Sequence, residues 1–586
     1  MKWIEVRKKA NYKEISERNN ISQVFAKILK NRGIETDEQI RKYLYGDYED
    51  LYDASLLKDM DKSVSLLNPA IKNGNHIRII GDYDVDGIMS TYILKSGLEE
   101  IGANVSYAIP HRIEDGYGLN ISLIEKAVED GVELIITCDN GISAKEAIDF
   151  AKEKGLTVIV TDHHDVPYEE DEKTGKIKYK LPNADAIVNP KQADCNYPFK
   201  GLCGAAVAYK VIHALYELIG KDEIEAKKYI QYAGFATVCD VMDLIDENRI
   251  LVKIALDMLR TTTNKGLQAL IKENEIPFTS IGVYHLGFIL GPCLNASGRL
   301  DTAKRAVELL STDDENEAVT IAAELHNLND KRQRLTERGL MTAIDLIEST
   351  SIKDDKVLVV YLKDTHESIA GIIAGKIREK YYKPTFVLTD SEGAIKGSGR
   401  SIEGYMMYDE LVKVKDLLLK FGGHPLAAGL SLEKDNLDAF RKALNSNCAL
   451  SDEDLIEKVK IDVVMPIEYV SKRLCNEIEM LEPCGKANSK PVFAARDVVY
   501  SSCSIMGKRR NAMKFSLNDK NIQAKNGMFF ADENTFLEKL ESVMGKEDAS
   551  MLLSGKGEKS INILYSPNIN VFRGNEEVQL MIKDFC

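Results

Sequence analysis

The run Ile79-Ile80-Gly81-Asp82-Tyr83-Asp84-Val85-Asp86-Gly87 sets three carboxylates at alternate positions after a short apolar segment, residues 77–80, broken only by Arg78. Alternate residues of an extended chain point the same way, so Asp82, Asp84 and Asp86 are expected to converge on one point. Gly87 reads as a tight turn, and Ile88-Met89-Ser90-Thr91-Tyr92-Ile93-Leu94 as the start of a helix. Three like charges at one strand end repel one another unless a cation neutralises them. An all-oxygen cluster suits a divalent ion such as Mg or Mn. Taken alone, the same residues also fit a solvated acidic turn.

Outward from this run, mostly apolar segments at 77–80, 105–108, 134–137, 158–161 and 186–188 alternate with helix-period segments such as 122–127 and 144–151. Short apolar strands between helices indicate a parallel sheet covered on both faces. Ligands of such sheets bind beyond the carboxyl ends of the strands. Two further strands end in Asp139-Asn140-Gly141 and Asp162-His163-His164. One strand-end Asp is a turn, a cap or a ligand; three strand ends of this kind point to a site. Asp240, after the apolar residues 235–239, is either a helix cap or a further member. Cys138 and Cys239 read as small buried apolar residues.

At 586 residues the chain is long enough for three or four domains. Its net charge of -15, from 77 basic and 92 acidic residues, excludes coating of duplex DNA through a general positive field. A local basic channel remains open. No apolar run has bilayer length, and the first residues lack a signal-peptide core, so a cytoplasmic protein without a membrane partner is expected. The ten cysteines are scattered without a CxxC pair, which suits reduced thiols.

Five regions are expected. Residues 1–70 form a helical segment without chemistry that packs on the domain after it. Residues 71–300 hold the parallel sheet, and 291–300 within them read as a loop. Residues 301–352 read as a long connecting helix whose basic residues are mostly an exposed face. Residues 353–450 form a smaller α/β domain. In it, Gly397-Ser398-Gly399-Arg400-Ser401 and Gly422-Gly423-His424 read as glycine-rich turns able to grip phosphate. Short strands over 455–586 indicate a β-barrel of OB type. Lys508, Arg509, Arg510 and Lys514 supply charge there, and Phe515, Phe529 and Phe530 are core residues or stacking platforms. Residues 169–176 are a charged surface loop.

These motifs, together with Thr237-Val238-Cys239-Asp240 and Asn295-Ala296-Ser297-Gly298-Arg299, resemble those of the DHH phosphoesterase superfamily, and within it the RecJ-type single-strand-specific exonucleases. The resemblance runs from about residue 75 to near the end of the sequence. It implies a multidomain α/β fold: a parallel-sheet DHH domain, a long connecting helix, a smaller α/β DHHA1 domain and a C-terminal OB-like β-barrel. It implies two divalent cations, Mn or Mg, held by Asp84, Asp86, Asp139, His163 and Asp240, with Asp82 at or near them. His164 would face the scissile phosphate and Asp162 would orient the histidines. Arg299, Asn295, Ser398, Arg400, His424 and Gly423 would hold phosphates in a cleft between the first two lobes.

The implied activity is metal-dependent 5′-to-3′ hydrolysis of single-stranded DNA to mononucleotides in repair and recombination. A helicase and a single-strand-binding protein are the implied partners. Alternatives are a hydrolase of short oligoribonucleotides or cyclic dinucleotides, and a non-catalytic DNA-binding scaffold. Leu481-Glu482-Pro483-Cys484-Gly485-Lys486-Ala487-Asn488 resembles the entry to the family's OB domain. The family usually has an aromatic residue at position 484 and Asn-Pro after the glycine.

Overall fold

Strands β1 (His76–Ile80), β2 (Asn104–Ala108), β3 (Leu134–Cys138), β4 (Thr157–Thr161) and β5 (Ala186–Val188) form a parallel sheet in the order β2-β1-β3-β4-β5. Ile80 pairs with both Ala108 and Thr137, and Cys138 pairs with Thr161, so the carboxyl ends lie level. The chain leaves β1 for β2 on one side and returns to β3 on the other. That reversal opens a crevice at the ends of β1 and β3, where doubly wound sheets bind ligands. In this computed structural model all 586 residues are described except 113–117, 171–174, 392, 508–509, 519–524 and 556–558, and the side chains of Ser501 and Phe572.

Helices α1 (Val85–Glu100), α2 (Ile121–Glu129), α3 (Lys145–Glu153), α4 (Gly204–Leu218) and α5 (Ile230–Cys239) cover the sheet. Gly97 lets α1 approach α4, because a Cβ there would lie 2.7 Å from Ile212 Cδ1. The segment 291–300 is helix α6 (Gly291–Leu300), not a loop; it continues a single π-turn, Leu286–Leu290. The expected connecting helix is two helices, α7 (Lys304–Ser311) and α8 (Glu315–Ser349). Asp314 caps α8 by accepting from the N–H groups of Asn316 and Glu317, and this ends the continuity.

At the end of α1, Glu100 accepts hydrogen bonds from Tyr216 (2.7 Å) and Lys228 (2.6 Å), and lies 2.8 Å from Lys221. Burial works to raise its pKa, but the two lysines and Tyr216 outweigh it and hold the carboxyl at about 2. A depressed carboxylate stabilises the fold above its unfolded pKa and loses that contribution as pH falls through the folded one. Glu100→Gln is therefore expected to cost about 2 kcal/mol at pH 7, less than the full shift because the group is partly exposed. Chemical denaturation should show the difference from wild type fading from pH 4.5 towards pH 2.

The second sheet comprises β6 (Leu358–Tyr361), β7 (Thr385–Ser391), β8 (Ala394–Arg400), β9 (Lys420–His424) and β10 (Ala427–Leu432), in the order β9-β10-β8-β7-β6. The two glycine-rich motifs are thus strand, not turn: Gly397 to Arg400 lie in β8 and Gly422 to His424 in β9. Gly397, Gly399 and Gly423 serve close packing, whereas Gly422 faces open space. Helix α9 (Glu367–Tyr381) lies over β7 and β8, and a Cβ on its Gly371 would sit 2.8 Å from Ser398 Oγ. The parallel sheet, α1 to α9 and this second sheet belong to one compact unit, Tyr52–Met242 with Ile254–Glu457.

The other unit is assembled from three separate segments, Met1–Leu51, Asp243–Lys253 and Lys458–Cys586. Strands β11 (Phe493–Met506), β12 (Ala512–Asn518), β13 (Lys525–Phe530), β14 (Lys559–Phe572) and β15 (Asn575–Phe585) pair in the order β11-β12-β13-β15-β14. β14 pairs back onto β11, which closes a five-stranded OB-like barrel and leaves no free edge among these strands. Two of the strands, β11 and β14, run to 14 residues rather than being short.

Lys2–Glu5 pairs in parallel with Lys458–Ile461, and Phe25, Ile28 and Leu29 share a core with Val463, Phe493 and Tyr565. The first 51 residues therefore pack with the C-terminal barrel rather than with the domain next to them in sequence. Phe515 and Phe529 are barrel core; Phe530 is 59% exposed. Arg510 pairs with Glu533, Lys514 is exposed, and Lys508 and Arg509 lie outside the described residues. Tyr168–Glu170 and Ile177–Tyr179 make a small exposed hairpin, with 171–174 of that charged stretch outside the described residues. Among the described residues no helix is long and apolar enough to cross a membrane.

Candidate metal centre and phosphate cleft

β1 stops at Ile80 and α1 begins at Val85, so the three aspartates converge through a turn rather than along an extended strand. Asp84 is the N-cap of α1 and accepts from the N–H groups of Asp86 (3.0 Å) and Gly87 (3.2 Å). Asp86 sits in the first helical turn. Its two carboxylate oxygens accept from the N–H groups of Gly204 (2.6 Å) and Ala205 (2.7 Å) at the start of α4. Gly87 is inside α1, and a Cβ there would lie 2.3 Å from the Asp82 carbonyl oxygen. Asn295 accepts from the Val85 N–H at 3.1 Å, and Gly298 lets α6 approach the Tyr83 carbonyl. The Asn295 side chain therefore braces the aspartate turn.

Asp139 leaves β3 in the left-handed region, at φ 61°, a conformation that Asp adopts more readily than most residues. Asn140 donates to the carbonyls of Ile80 and Cys138 and ties the ends of β1 and β3 together. Asp162 accepts from the N–H of His163 (2.7 Å), the Nδ1 of His164 (2.8 Å) and the N–H of Ile142 (2.9 Å). The Asp240 carboxylate reaches the site from the C-terminal end of α5, where the helix dipole disfavours a negative charge.

Three sets of side chains bring one ligand atom each within 4.8 Å of one another: Asp139, His163 and His164; Asp86, His163 and Asp240; Asp82, Asp84 and Asp139. His163 Nε2 lies 3.0 Å from Asp139, 3.5 Å from Asp86 and 3.7 Å from Asp240. Burial, with the neighbouring carboxylates, raises Asp82 and Asp139 well above the ordinary range, Asp86 to about 6 and Asp240 to about 7. Asp82 Oδ1 is buried without a hydrogen-bond partner among the described residues. Crowded carboxylates in a buried pocket are costly as anions and become favourable around a divalent cation. Burial and the His164 charge lower His163, which keeps its imidazole neutral and fit to ligate. The residues present thus fit two hard divalent ions.

His164 behaves oppositely to His163. Burial works to lower its pKa, but the hydrogen bond and charge of Asp162 raise it to about 9. The same contact, against burial, holds Asp162 at about 2. Asp162 therefore orients His164 and favours its protonated form. Asp162→Asn is expected to reduce activity about 10- to 100-fold, the usual cost of losing such an orienting partner. The loss should appear mainly in kcat, with the alkaline limb of the pH profile moved to lower pH.

A cluster of arginines lies beside the carboxylates. Arg299 donates to the Ser368 carbonyl at 2.7 Å. Burial, then the charges of Arg112 and Arg332, lower it to about 10. Arg400 donates to Ser398 Oγ at 3.0 Å, and burial and the charge of Arg112 lower it too. Guanidinium groups that depress one another suit a bound anion. His424 ends β9 on the same side: its charge helps hold down Asp165, against burial and together with the 3.0 Å pairing to Lys191. Gly423 has a backbone role, at φ 145° and with a virtual Cβ 2.4 Å from the Ala427 carbonyl.

Sequence reasoning missed Arg112, which stacks over the Tyr83 ring at 4.7 Å. It comes after Ala108 at the carboxyl end of β2, so the strand-end rule had marked its position. Arg332 was missed as well: it belongs to α8 but is half-buried and donates to Asn329 Oδ1, rather than lying on an exposed face. The N–H pair of Gly204 and Ala205 left no signal beyond the Gly201-Leu202-Cys203-Gly204 turn.

Comparison with known proteins bears on all three domains. Family models match as the DHH family N-terminal domain over residues 76–237, the DHHA1 domain over 354–450 and the RecJ OB domain over 461–584. The single-stranded-DNA-specific exonuclease RecJ of Bacillus subtilis is 33% identical over 98% of this chain and 69% of its own length. That of Haemophilus influenzae is 31% identical over 97% of both chains. The crystal structure of Thermus thermophilus RecJ in complex with Mn2+ superposes with a TM-score of 0.81 at 25% identity, covering 100% of this chain and 79% of that one. A structure of exonuclease RecJ bound to manganese gives a TM-score of 0.58 at 32% identity, over 68% of this chain and 96% of that one. Carrying the three domains in this order and this identity over nearly its whole length, the chain belongs to the RecJ family of single-stranded-DNA-specific exonucleases.

Proposed function

We propose that the protein is a metal-dependent exonuclease that removes mononucleotides from the 5′ end of single-stranded DNA. One observation carries the reading: buried carboxylates of raised pKa and a neutral His163 gather their ligand atoms in overlapping sets, beside a cluster of mutually depressed arginines. Asp84, Asp86, Asp139, His163 and Asp240 would hold two divalent cations, Mn or Mg, with Asp82 beside them. Such a pair activates a water and stabilises the attacking and leaving oxygens of an in-line displacement.

The chain's own residues do the rest. His164, fixed through Nδ1 by Asp162, turns its other nitrogen towards the scissile phosphate and donates a proton to a charged oxygen there. Arg112, Arg299, Ser398 and Arg400 hold the adjoining phosphate at a fixed distance from the carboxylates, which makes each cut fall one nucleotide from the end. The barrel would take the strand through backbone charge and stacking. A helicase that exposes the strand and a single-strand-binding protein that presents it are the proposed partners.

Degradation of a single-stranded DNA labelled at either end, with Mn, Mg or EDTA, tests this. Immediate release of the 5′ label as mononucleotide, abolished by EDTA, is expected. Release of the 3′ label first would overturn the polarity. Inert DNA with short oligoribonucleotides or cyclic dinucleotides consumed would favour a small-substrate hydrolase, and binding without hydrolysis a scaffold.

A further inference from the structure

The second sheet carries a row of groups that the reaction just described does not use. Lys396 pairs in register with Ser431, and Ser431 with Lys420, so these three lie side by side across β8, β10 and β9. Two residues along each strand, on the same face, come Ser398, Gly429 and Gly422; two further on come Arg400, Ala427 and His424. Same-face rows are about 6.8 Å apart. The face therefore presents three steps leading away from the carboxylate site: a guanidinium and an imidazole, then a hydroxyl over glycine, then two ammonium groups with a hydroxyl between them.

Helix α9 lies over β7 and β8, and beyond its edge the same face is the floor of a cleft of about 410 Å³. The cleft is lined by Arg112 and Ser368 as well as by Lys396, Lys420 and Ser431. Its floor is small where it must be. A Cβ on Gly422 would meet nothing within 4 Å and one on Gly429 only the Gly397 carbonyl at 4.0 Å, so the space above the strands is open. Lys420 forms no ion pair among the described residues. The one acid of the cleft among the described residues, Glu367, lies 3.1 Å from Lys396 and accepts from Ser391, so Lys396 is held in place there.

We propose that Lys396, Ser431 and Lys420 form a subsite for a second phosphate group, lying on the 5′ side of the terminal phosphate held by Arg112, Ser398 and Arg400. The inference rests on the exonuclease reading for that first phosphate. One step of about 6.8 Å is within reach of a polyphosphate tail on the terminal nucleotide, or of one further nucleotide. Lysine ammonium groups suit it, since they bind phosphate as point charges without demanding bidentate geometry. The consequence is an enzyme that accepts 5′ ends bearing more than a single phosphate.

The test compares single-stranded DNA with a 5′-monophosphate and with a 5′-triphosphate, for the wild type, Lys420→Ala, Lys420→Arg and Lys396→Ala. Inorganic tripolyphosphate and orthophosphate serve as competing probes. The wild type should cleave the triphosphorylated end within about threefold of the monophosphorylated one, and tripolyphosphate should inhibit more strongly than orthophosphate. Lys420→Ala should lose about tenfold in kcat/KM on the triphosphorylated end alone, as expected for one charged contact, and Lys420→Arg should recover most of it. Nucleoside triphosphate as first product assigns the subsite to a polyphosphate. A dinucleotide first product that disappears in Lys420→Ala assigns it to the next phosphodiester.

Refusal of the triphosphorylated end by the wild type, or equal losses on both ends in the variants, overturns the subsite. No hydrolysis of the monophosphorylated strand by the wild type would instead sink the exonuclease reading beneath it.

Discussion

Asp139→Asn is expected to reduce hydrolysis of single-stranded DNA by on the order of 10³-fold or more while raising the stability of the metal-free protein. Both effects have one cause. Asp139 is fully buried, and after burial the charges of Asp86, Asp84 and Asp82 are what drive its carboxyl up. It belongs to two of the three ligand sets among the described residues, so its charge would act on a cation held in either. Removing that charge relieves repulsion in the empty pocket and removes the attraction that a cation meets there.

Asn is the informative substitution because it matches Asp in size and tolerates the left-handed backbone at φ 61°. Alanine would add strain to the loss of charge. Thermal unfolding in EDTA should give a Tm a few degrees above wild type, and Mn should raise the wild-type Tm far more than that of the variant. Full activity in Asp139→Asn would remove the residue from the metal centre. A lower Tm in EDTA would show that Asp139 is a structural acceptor instead.

The largest expected loss of stability belongs to a residue far from the chemistry. Arg249→Met should cost the barrel-containing unit about 3–5 kcal/mol. Its guanidinium is buried and donates to the carbonyls of Tyr43 (2.9 Å), Leu481 (2.7 Å), Pro483 (3.2 Å), Met480 (2.9 Å) and Glu482 (2.8 Å). It also stacks on the Tyr43 ring at 4.0 Å. Methionine fills much of the volume but removes the donor from all five of these carbonyls.

Asn488 completes the latch by donating to the carbonyls of Leu481 and Pro483, while Tyr43 donates to its Oδ1 at 2.6 Å. The Leu481–Asn488 motif, which has Cys484 at the usual aromatic position and Lys486-Ala487 where Asn-Pro is usual, thus acts as a structural clasp. Hydrogen exchange should show early opening of residues 1–51 and 458–586 in Arg249→Met, with Arg249→Lys only partly restoring protection because an ammonium lacks the planar fork. Unchanged exchange in this unit would refute the clasp. The carboxylates proposed to hold the metals all belong to the other unit, so hydrolysis of a short oligonucleotide at low temperature provides the control.

The sequence by itself picked out the proposed chemistry at the strand ends: Asp82 to Asp86, Asp139, and Asp162 to His164. They were legible because a parallel sheet places the end of every strand at one rim, so motifs far apart in sequence meet by topology alone. The strands of the first sheet, and β6 and β7 of the second, were readable for a related reason, since a buried strand is a local apolar run with polar residues at its ends. Local reading failed where the deciding contact is distant. Nothing near Gly397-Ser398-Gly399-Arg400 says whether its glycines make a turn or make room in a strand; Leu388 beside Gly397, with Phe386 and Met407 beside Gly399, decides that. Nothing near Asp86 shows that the start of α4 supplies its N–H donors.

In sequence, residues 1–51 read as a preamble to the domain after them, 243–253 as part of that domain and 458–586 as a barrel of its own. Only tertiary structure joins them, through the β-pairing of Lys2–Glu5, a shared apolar core and the carbonyl latch around Arg249. Periodicity records which face of a segment is buried. It carries no record of what buries it, because a backbone carbonyl or an apolar contact is the same whichever part of the chain supplies it.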